Sequence, residues 1–352
     1  MNTYSFRFVC FFCQKEVKRS MKYFVTGATG FIGGRVARQL LAAGHEVIAL
    51  ARTPSAAQDL VTEGIKVYAG DITDTESLRT PMTGVDGVFH IAAWYKVGVR
   101  EKSQAETINV SGTRNVLEMM KELGIPRGVY TSTLTVFQDT RGQMVDESYK
   151  YTGTSFLSAY DRTKWKAHYE VARPMIQAGL PLVIVQPGLV YGPGDTSIIH
   201  EAWVTYLQGK LPMTPSGTTY CWTHVDDTAH GHLLAMEQGK VGETYIIGGP
   251  KYSVTEAFNL AEQISGVPAP RLHPTPWMMK AMAAMIGLIG AVFPLPEPYS
   301  AESIRSSAGV SYLGTNEKAR RELGYAPRTL EQGLPETLEY EMQQLGMSFQ
   351  KR

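Results

Sequence analysis

Tyr160 and Lys164, two residue types that can move a proton, stand four positions apart in a stretch with helical character. Residues at that spacing share one helical face, so both side chains can reach the same point of a cleft. A phenol titrates near pH ~10 in water, and a neighbouring ammonium favours the phenolate, which brings tyrosine within range of acid/base work. Thr133 ends an upstream strand pattern and supplies a hydroxyl that can hold a substrate oxygen. Together the three residues predict a proton-transfer site.

Tyr206 and Lys210 have the same spacing and form a rival pair. Gly209 and Pro212 would interrupt a helix there, and no strand with a terminal hydroxyl residue lies upstream at a suitable distance. Taken singly, Tyr160 could be a surface aromatic and Lys164 a solvated charge. Their combination with Thr133 favours the functional interpretation.

A glycine-rich loop, TGATGFIG at residues 26–33, follows a strand pattern and opens a helix pattern. Its three glycines suit a tight turn and the close approach of a diphosphate, and a helix N-terminus offers unpaired N–H groups to phosphates. The helix, a Gly44 stop and a second strand pattern follow in register. The loop therefore predicts a dinucleotide site. Its expected contacts are Gly27, Thr29, Gly30, Phe31, Ile32 and Gly33.

The residue that ends the second strand indicates which dinucleotide binds. An acid there accepts a hydrogen bond from the ribose 2′-OH, whereas an arginine tolerates a 2′-phosphate. Arg52 follows Ala51 and no acid is present, which favours NADP(H) and leaves NAD(H) open. Asp71, ending the third strand, is placed to meet the adenine amino group; alternatively it caps a helix beginning near Asp74.

Six apolar runs of strand length occur in the first half of the chain, and each interval except the third has helical periodicity. Strands that alternate with helices indicate an α/β fold with a Rossmann-type doubly wound parallel sheet. The predicted strands are Lys22–Thr26, Glu46–Ala51, Ile65–Gly70, Gly87–Ala92, Arg127–Thr133 and Pro181–Gln186.

The patterns divide the chain into three parts. Residues 1–20 are interpreted as an extension outside the fold, because Met21 directly precedes the first strand pattern. Residues 21–190 form the predicted NAD(P)-binding domain, and residues 191–345 form a small substrate-binding lobe in which a segment near 220–250 returns to complete the sheet. Asn316–Leu323 followed by Gly324 predicts a short late helix.

Composition narrows the partners. Lys and Arg number 34 against 33 for Asp and Glu, and they are scattered, so there is no electrostatic footprint for nucleic acid and a small-molecule substrate is favoured. Three cysteines, Cys10, Cys13 and Cys221, are too few for a disulfide framework, which favours a reducing cytoplasm. No second ligand pair accompanies Cys10 and Cys13, so no metal site is expected.

Two apolar segments raise the question of a membrane. The one at residues 6–12 precedes its basic residues, the reverse of a secretory signal. Met278–Phe293 is interrupted by Lys280 and falls short of the ~20 residues needed to span a bilayer. We therefore expect no transmembrane segment. The second segment is interpreted as a buried helix or a cap over the substrate pocket, with membrane-surface contact as the alternative.

Several motifs occur together in one order: TGATGFIG, His90–Ala93, Asn109, Tyr130–Thr133, Tyr160 with Lys164, Pro187–Gly188, Val190–Gly194 and His224–Asp227. From about Met21 to Leu345 the chain thereby resembles extended short-chain dehydrogenase/reductases, the NAD-dependent epimerase/dehydratase family. Within that family it is most similar to the dihydroflavonol-reductase-like group and to hopanoid-associated sugar epimerases.

The resemblance implies roles for particular residues. Tyr160 would be the acid/base, Lys164 would bind the nicotinamide ribose and Thr133 would polarise the substrate oxygen. Family members are often homodimers through two helices, here near Ala105–Leu123 and Ser158–Ala178, by analogy alone. Further cofactor contacts implied are Ile72, Ala92, Ala93, Asn109, Thr131, Pro187 and Gly188.

One departure from the family pattern bears on the substrate. Nucleotide-sugar epimerases usually carry an arginine just before the His-Val-Asp-Asp segment, where its fork pairs with a diphosphate, and here that position is Tyr220. Arg305 does fall where a second such arginine is often found. Aromatic residues suggest a pocket for an apolar or ring-bearing substrate, namely Trp94, Tyr95, Tyr191, Tyr220 and Trp222.

Three functions follow from this pattern. The leading hypothesis is reversible reduction of a ketone or aldehyde with Tyr160 as proton donor. The second is epimerisation or dehydration of a sugar derivative with an internally recycled cofactor. The third, a non-catalytic dinucleotide sensor, is disfavoured because a sensor does not need Tyr160, Lys164 and Thr133.

Overall fold

The computed structural model of the protein describes residues 19–96, 102–292 and 300–349. Cys10 and Cys13, and nearly all of the proposed extension at residues 1–20, lie outside the described residues.

A seven-stranded sheet forms the centre of the molecule, in the order β3-β2-β1-β4-β5-β6-β9, and every neighbouring pair is parallel. The predicted doubly wound α/β fold is confirmed. The seven strands are β1 Lys22–Thr26, β2 Glu46–Ala51, β3 Lys66–Ala69, β4 Gly87–His90, β5 Gly128–Thr131, β6 Leu182–Pro187 and β9 Thr244–Ile247.

Both faces of this sheet are covered by helices, which is why β5 and β6 are buried at every position. One face packs on side chains such as Val36 and Leu40 of α1 and Ala229 of α9. The other packs on Leu78, Leu117 and Val171. The helices of the first half are α1 Phe31–Ala42, α2 Gln58–Thr62, α3 Thr75–Met82, α4 Ser103–Glu106, α5 Thr113–Glu122, α6 Ala159–Lys166 and α7 Arg173–Gln177.

Helix α3 corrects the prediction that the third interval lacks a helix. It is only eight residues long and contains Pro81, so its apolar side amounts to little more than Leu78 and Met82 and produces no clear periodicity. Asp74 caps it, because its Oδ1 accepts a hydrogen bond from the backbone N–H of Glu76 at 3.1 Å. The cap is therefore Asp74 and not Asp71.

Two helices contain a π-helical turn. One, over Thr107–Gly112, joins α4 to α5, and the other, over Ala167–Ala172, joins α6 to α7. Such turns are rare and often lie at functional sites. The first carries Asn109, and the second extends the helix that carries Tyr160 and Lys164.

The second half of the chain forms a lobe with its own small sheet, although β9 and α9 belong to the central sheet. The lobe strands are β7 Leu189–Tyr191, β8 Thr219–His224, β10 Lys251–Ser253 and β11 Ser311–Tyr312. The helices are α8 Ile198–Leu207, α9 Val225–Gln238, α10 Val254–Ser265, α11 Pro276–Val292, α12 Ala301–Ser306, α13 Glu317–Leu323 and α14 Leu330–Gln344.

The apolar segment forms α11, but it is not a buried helix. Met279 and Ala283 pack against Ile304 and Ala308, whereas Trp277 on the same helix is 71% exposed. In the part of the chain that the structure describes, no helix combines the length and hydrophobicity needed to cross a membrane.

Candidate active site

Gly27 and Gly33, in the loop between β1 and α1 and at the start of α1, have no room for a side chain. Gly27 has φ +75°, and a Cβ there would lie 2.8 Å from the backbone nitrogen of Ala92. A Cβ on Gly33 would lie 2.1 Å from the carbonyl oxygen of Gly27. Gly30 is the N-cap of α1 and provides no side-chain hydrogen bond, so the first N–H groups of the helix are left for an anionic ligand. These residues fit the diphosphate of a dinucleotide.

Thr26, which the motif contains but sequence reasoning assigned no role, organises the floor of this loop. Its Oγ1 accepts the backbone N–H groups of Ile91 and Ala92, each at 3.1 Å, and lies 2.9 Å from His90 Nδ1. Burial lowers the pKa of His90 to about 3, so the ring is neutral. The Thr26 hydroxyl, which already accepts two N–H groups, therefore donates its hydrogen bond to Nδ1. On the other side of the ring, Nε2 donates to Thr113 Oγ1 at 3.0 Å. This chain of hydrogen bonds fixes the Ala92–Ala93 turn beside Gly27.

The three residues expected near the adenosine have different surroundings. Arg52 is exposed directly after β2. Asp71 Oδ1 accepts hydrogen bonds from the backbone N–H and the hydroxyl of Thr73, at 2.8 and 2.9 Å. Ile72 is buried in the core, and its carbonyl accepts a hydrogen bond from Asn115. Arg52 thus presents an exposed charge at the end of β2, the strand next to β1.

Lys164 is buried at the centre of the candidate site. Its Nζ donates to the carbonyl oxygen of Thr131 at 2.7 Å and lies 3.5 Å from the hydroxyl of Tyr130. Burial lowers the pKa of Lys164 to about 7. The ring of Tyr130 also faces this amine, with 5.0 Å between Nζ and the ring centroid. Tyr130 was assigned no role from the sequence.

Tyr160 lies on the same helix, α6, and its hydroxyl is close enough to the Thr133 side chain to be influenced by it. Burial raises the pKa of Tyr160 to about 12, and the interaction with Thr133 opposes this only in part. In the protein alone, burial thus opposes the phenolate that was expected beside an ammonium, and at neutral pH the phenol keeps its proton.

Three consecutive hydroxyl residues, Thr131, Ser132 and Thr133, stand at the end of β5, and the structure distinguishes them. The Thr131 hydroxyl bonds His232 Nε2 at 2.8 Å, and Ser132 bonds His168 Nδ1 at 2.8 Å, so both side chains are committed elsewhere. Thr133 alone of the three is beside Tyr160. Thr131 was expected to bind cofactor, but its side chain faces α9, and it contributes its carbonyl to hold Lys164.

Asn109 was also expected among the cofactor contacts, but its amide is fully used within the protein. Its Oδ1 accepts the backbone N–H of Trp94 at 2.7 Å, and its Nδ2 donates to the Trp94 carbonyl and to Thr163 Oγ1, both at 2.9 Å. It ties the segment after β4 to α6. In this structure Asn109 is therefore a tether, and the same bonds fix the backbone of Trp94.

The expected substrate residues do not all meet. Tyr191 and Trp222 lie in the core of the lobe, where Trp222 Nε1 donates to the carbonyl of Tyr252 at 3.0 Å. This placement corrects their interpretation as pocket residues, since local sequence cannot distinguish core aromatics from pocket aromatics. Tyr95 is half exposed and bonds Thr196 Oγ1 at 3.1 Å, and Arg305 is exposed on α12.

Tyr220 lies closer to the proton-transfer residues. It stacks on Tyr312 with 6.0 Å between centroids, and the Tyr312 hydroxyl donates to Asp161 Oδ2 at 3.2 Å. Asp161 directly follows Tyr160 and is buried, which raises its pKa to about 7.

Pro187 ends β6, and a Cβ on Gly188 would lie 2.1 Å from the carbonyl oxygen of Cys221, so Gly188 allows β8 to pass close by.

Glu302 is a residue of the site that the sequence gave no means of finding. Its Oε1 accepts the N–H of Ala159, the first residue of α6, at 2.9 Å, and its Oε2 pairs with Lys102. It lies on α12, far away along the chain, so no local spacing connects it to Tyr160.

The rival pair of Tyr206 and Lys210 is not brought together. The hydroxyl of the buried Tyr206 donates to the Val267 carbonyl, and Lys210 lies beyond the end of α8.

A Rossmann-type sheet, a glycine loop at a helix N-terminus and a tyrosine one helical turn before a buried lysine define an enzyme that works with a nicotinamide dinucleotide. A family model, the NAD dependent epimerase/dehydratase family, matches residues 23–248. The chain belongs to this family and is an enzyme of the extended short-chain dehydrogenase/reductase type.

Individual relatives cover almost the whole chain. A protein of Synechocystis sp. named as a dihydroflavonol 4-reductase is 32% identical, over 90% of this chain and 94% of its own. Sterol demethylase protein B of Methylococcus capsulatus is 28% identical, over 87% of this chain and 94% of its own. The structure of dTDP-glucose 4,6-dehydratase from Streptomyces venezuelae with NAD bound is 25% identical, with a TM-score of 0.74 over 93% of this chain and 98% of that chain.

Proposed function

We propose that the protein reduces a ketone or aldehyde, or oxidises the corresponding alcohol, with Tyr160 as the acid/base. The observation that carries this proposal is the half-buried Tyr160 phenol, which keeps its proton at neutral pH, lies beside Thr133 and shares its helix with the buried Lys164. A carbonyl oxygen that gains negative charge needs a proton donor at that position. When bound, the nicotinamide dinucleotide supplies the hydride for reduction and accepts it for oxidation.

The roles of the other residues follow from their contacts. Thr133 holds the carbonyl oxygen of the substrate with its hydroxyl and orients it toward Tyr160. Lys164, fixed by the Thr131 carbonyl, binds the ribose next to the nicotinamide and provides a charge that changes near pH 7. The first N–H groups of α1 hold the diphosphate. Arg52 favours a 2′-phosphate, so NADP(H) is the preferred form.

An apolar or ring-bearing carbonyl compound is the proposed substrate class. Tyr220 is half-buried, stacks on the buried Tyr312 beside Asp161 at the Tyr160 end of α6, and is the aromatic residue proposed to face the substrate. One relative is named for sterol demethylation and another for dihydroflavonol reduction, both of which concern ring compounds. The low cysteine content supports a reducing cytoplasm, and the homodimer stays a proposal by analogy.

Sugar epimerisation or dehydration is the second candidate, and exposed Arg305 favours it because an arginine there can pair with a diphosphate. Net cofactor turnover separates the two candidates, since an epimerase consumes no dinucleotide. A sensor would show neither reaction.

The test is a screen of ketones, aldehydes and alcohols with NADPH and NADH, run on the wild type and on Tyr160→Phe. We expect the variant to keep its dinucleotide affinity within about tenfold and to lose ~10²–10⁴ in turnover. Tyr169→Phe is the matched control. Tyr169 lies in the π-helical turn that continues α6, and its hydroxyl makes only a 3.4 Å contact with the carbonyl of Tyr149. Unchanged turnover in Tyr160→Phe would overturn the assignment.

A further inference from the structure

Helix α11 presents a continuous apolar surface to solvent. At helical spacing, Trp277, Met285 and Leu288 fall on one side of the helix and are 71%, 59% and 77% exposed. Met278, at 45% exposed, extends the same side. Large exposed hydrophobic side chains are ordinary when scattered but indicate an interaction site when they are contiguous.

The opposite side of α11 is apolar as well, and α12 covers it. Met279 and Ala283 are buried against Ile304 and Ala308. A helix that is apolar all round needs cover on every side. Among the described residues, nothing covers the side that carries Trp277 and Leu288.

Basic residues outnumber acids around this surface. Lys280 is exposed on α11 itself, and Arg305 is exposed on the packed α12. Lys210 is exposed on a neighbouring segment, where Met213 bridges to Leu272, whereas Arg271 beside Leu272 is paired with Glu262 at 2.8 Å. Within residues 208–217, 266–292 and 300–310 the only acid is Glu302, which is buried and paired with Lys102. The chain as a whole is nearly neutral at +1, so this surface concentrates its positive charge.

We propose that the exposed face of α11 docks the protein on the surface of an anionic lipid bilayer. The helix lies in the interface plane with Trp277, Met285 and Leu288 among the upper acyl chains, and the surrounding basic residues contact the headgroups. A second copy of the chain fits less well. A two-fold dimer through this face would bring Lys280, Arg305 and their neighbours against the same charges of the partner.

Docking on this face also orients the candidate active site. Helix α12, which packs on α11, holds the first residue of α6 through the bond from Ala159 to Glu302. The lipid surface is therefore two packed helices away from Tyr160. The docking proposal goes beyond the proposed reaction and does not depend on it.

The first test is flotation of the full chain with vesicles of phosphatidylcholine containing about 30% phosphatidylglycerol, compared with phosphatidylcholine alone. We expect binding to the anionic vesicles, and a fall of at least about tenfold in the triple variant Trp277→Ser, Met285→Ser, Leu288→Ser. The matched control replaces three other exposed apolar residues, Val61→Ser, Met144→Ser and Val241→Ser, which are 45%, 47% and 51% exposed, and should bind as the wild type does.

A charge-reversal variant tests the contribution of the basic residues to vesicle binding. Lys210→Glu with Lys280→Glu should lower binding to anionic vesicles by about tenfold or more, and raising the salt from about 0.1 M to about 0.5 M should weaken wild-type binding. Equal binding of the wild type to neutral and anionic vesicles would overturn the proposal, and so would equal loss of binding in the control triple variant.

Trp277 emission gives a second readout, compared between the wild type and Trp277→Phe. Without vesicles, acrylamide should quench the Trp277 contribution readily, and anionic vesicles should shift it to the blue and protect it. A contribution that is already protected without vesicles would show that another part of the chain covers α11, and the proposal would fail. Absence of vesicle binding, together with a concentration-dependent dimer that the triple variant abolishes, would assign the face to a second copy instead.

Discussion

Gly33→Ala tests whether the glycine loop holds the diphosphate as described. The added Cβ would lie 2.1 Å from the carbonyl oxygen of Gly27, whereas ordinary contacts begin at 3.4 Å. The loop must therefore move away from α1 by about 1 Å, a shift comparable to those that spoil well-positioned contacts. The N–H groups at the start of α1 then no longer converge on one point with the loop.

The size of the effect follows from the number of hydrogen bonds lost. A hydrogen bond to a charged group contributes about 1.5–3 kcal/mol, so the loss of two costs at least ~3 kcal/mol. That corresponds to a rise of at least ~100-fold in the Kd for the dinucleotide. The measurement is a calorimetric titration with NADPH and with NADH, together with a circular-dichroism melt to show that the variant is folded.

Gly34→Ala is the control, because its Cβ would meet the Ala28 carbonyl and the flexible end of Arg38 at a milder 3.1 Å. It should change the Kd far less than Gly33→Ala does. If folded Gly33→Ala binds either dinucleotide within about threefold of the wild type, the close packing of the loop does not support cofactor binding, and the reasoning is wrong.

Three further changes test other parts of the site. Arg52→Asp should shift preference toward NADH by about tenfold or more, because it removes the partner of a 2′-phosphate and adds an acceptor for the 2′-OH; unchanged NADPH affinity in binding titrations would refute this. Asp161→Asn should raise the Tm at pH 8 but not at pH 4. Burial raises the pKa of Asp161 to about 7, so the wild type loses stability as the pH rises from about 4 through about 7, and parallel Tm curves would contradict this account. Glu302→Ala should lower kcat by about tenfold while the dinucleotide Kd stays constant, and Glu302→Gln should restore kcat because its amide oxygen can still accept the Ala159 N–H; failure of this rescue would exclude a positioning role.

Local sequence predicted the elements whose patterns are self-contained. β1 and β2 have the predicted bounds, and the late helix α13 begins one residue after its predicted start, because each is a strongly apolar or periodic run with clear ends. Helices α8, α10 and α14 were not recognised, although the capping box of Ser253 and Glu256 before α10 was a readable signal. Helix α3 was too short and too polar to show.

The proposed site divides in the same way. Tyr160, Lys164 and Thr133 could be named because one helical turn and one strand end bring them together. Glu302 and Tyr312 contact α6 from more than a hundred residues away along the chain, so no local sequence pattern could predict these contacts. The direction of the Tyr160 pKa in the protein alone could not be predicted from the sequence, because burial, which decides it, is a property of the packed protein.

The position of β9 at the edge of the central sheet makes the two halves of the chain interdependent during folding. A fragment that ended near residue 190 would expose the outer edge of β6, whose residues 184–187 pair with β9 in the complete protein. Unpaired edges of that kind join other chains, so such a fragment should aggregate and not fold. Proteolysis that removes the second half of the chain, with β9, should therefore destabilise the first half as well.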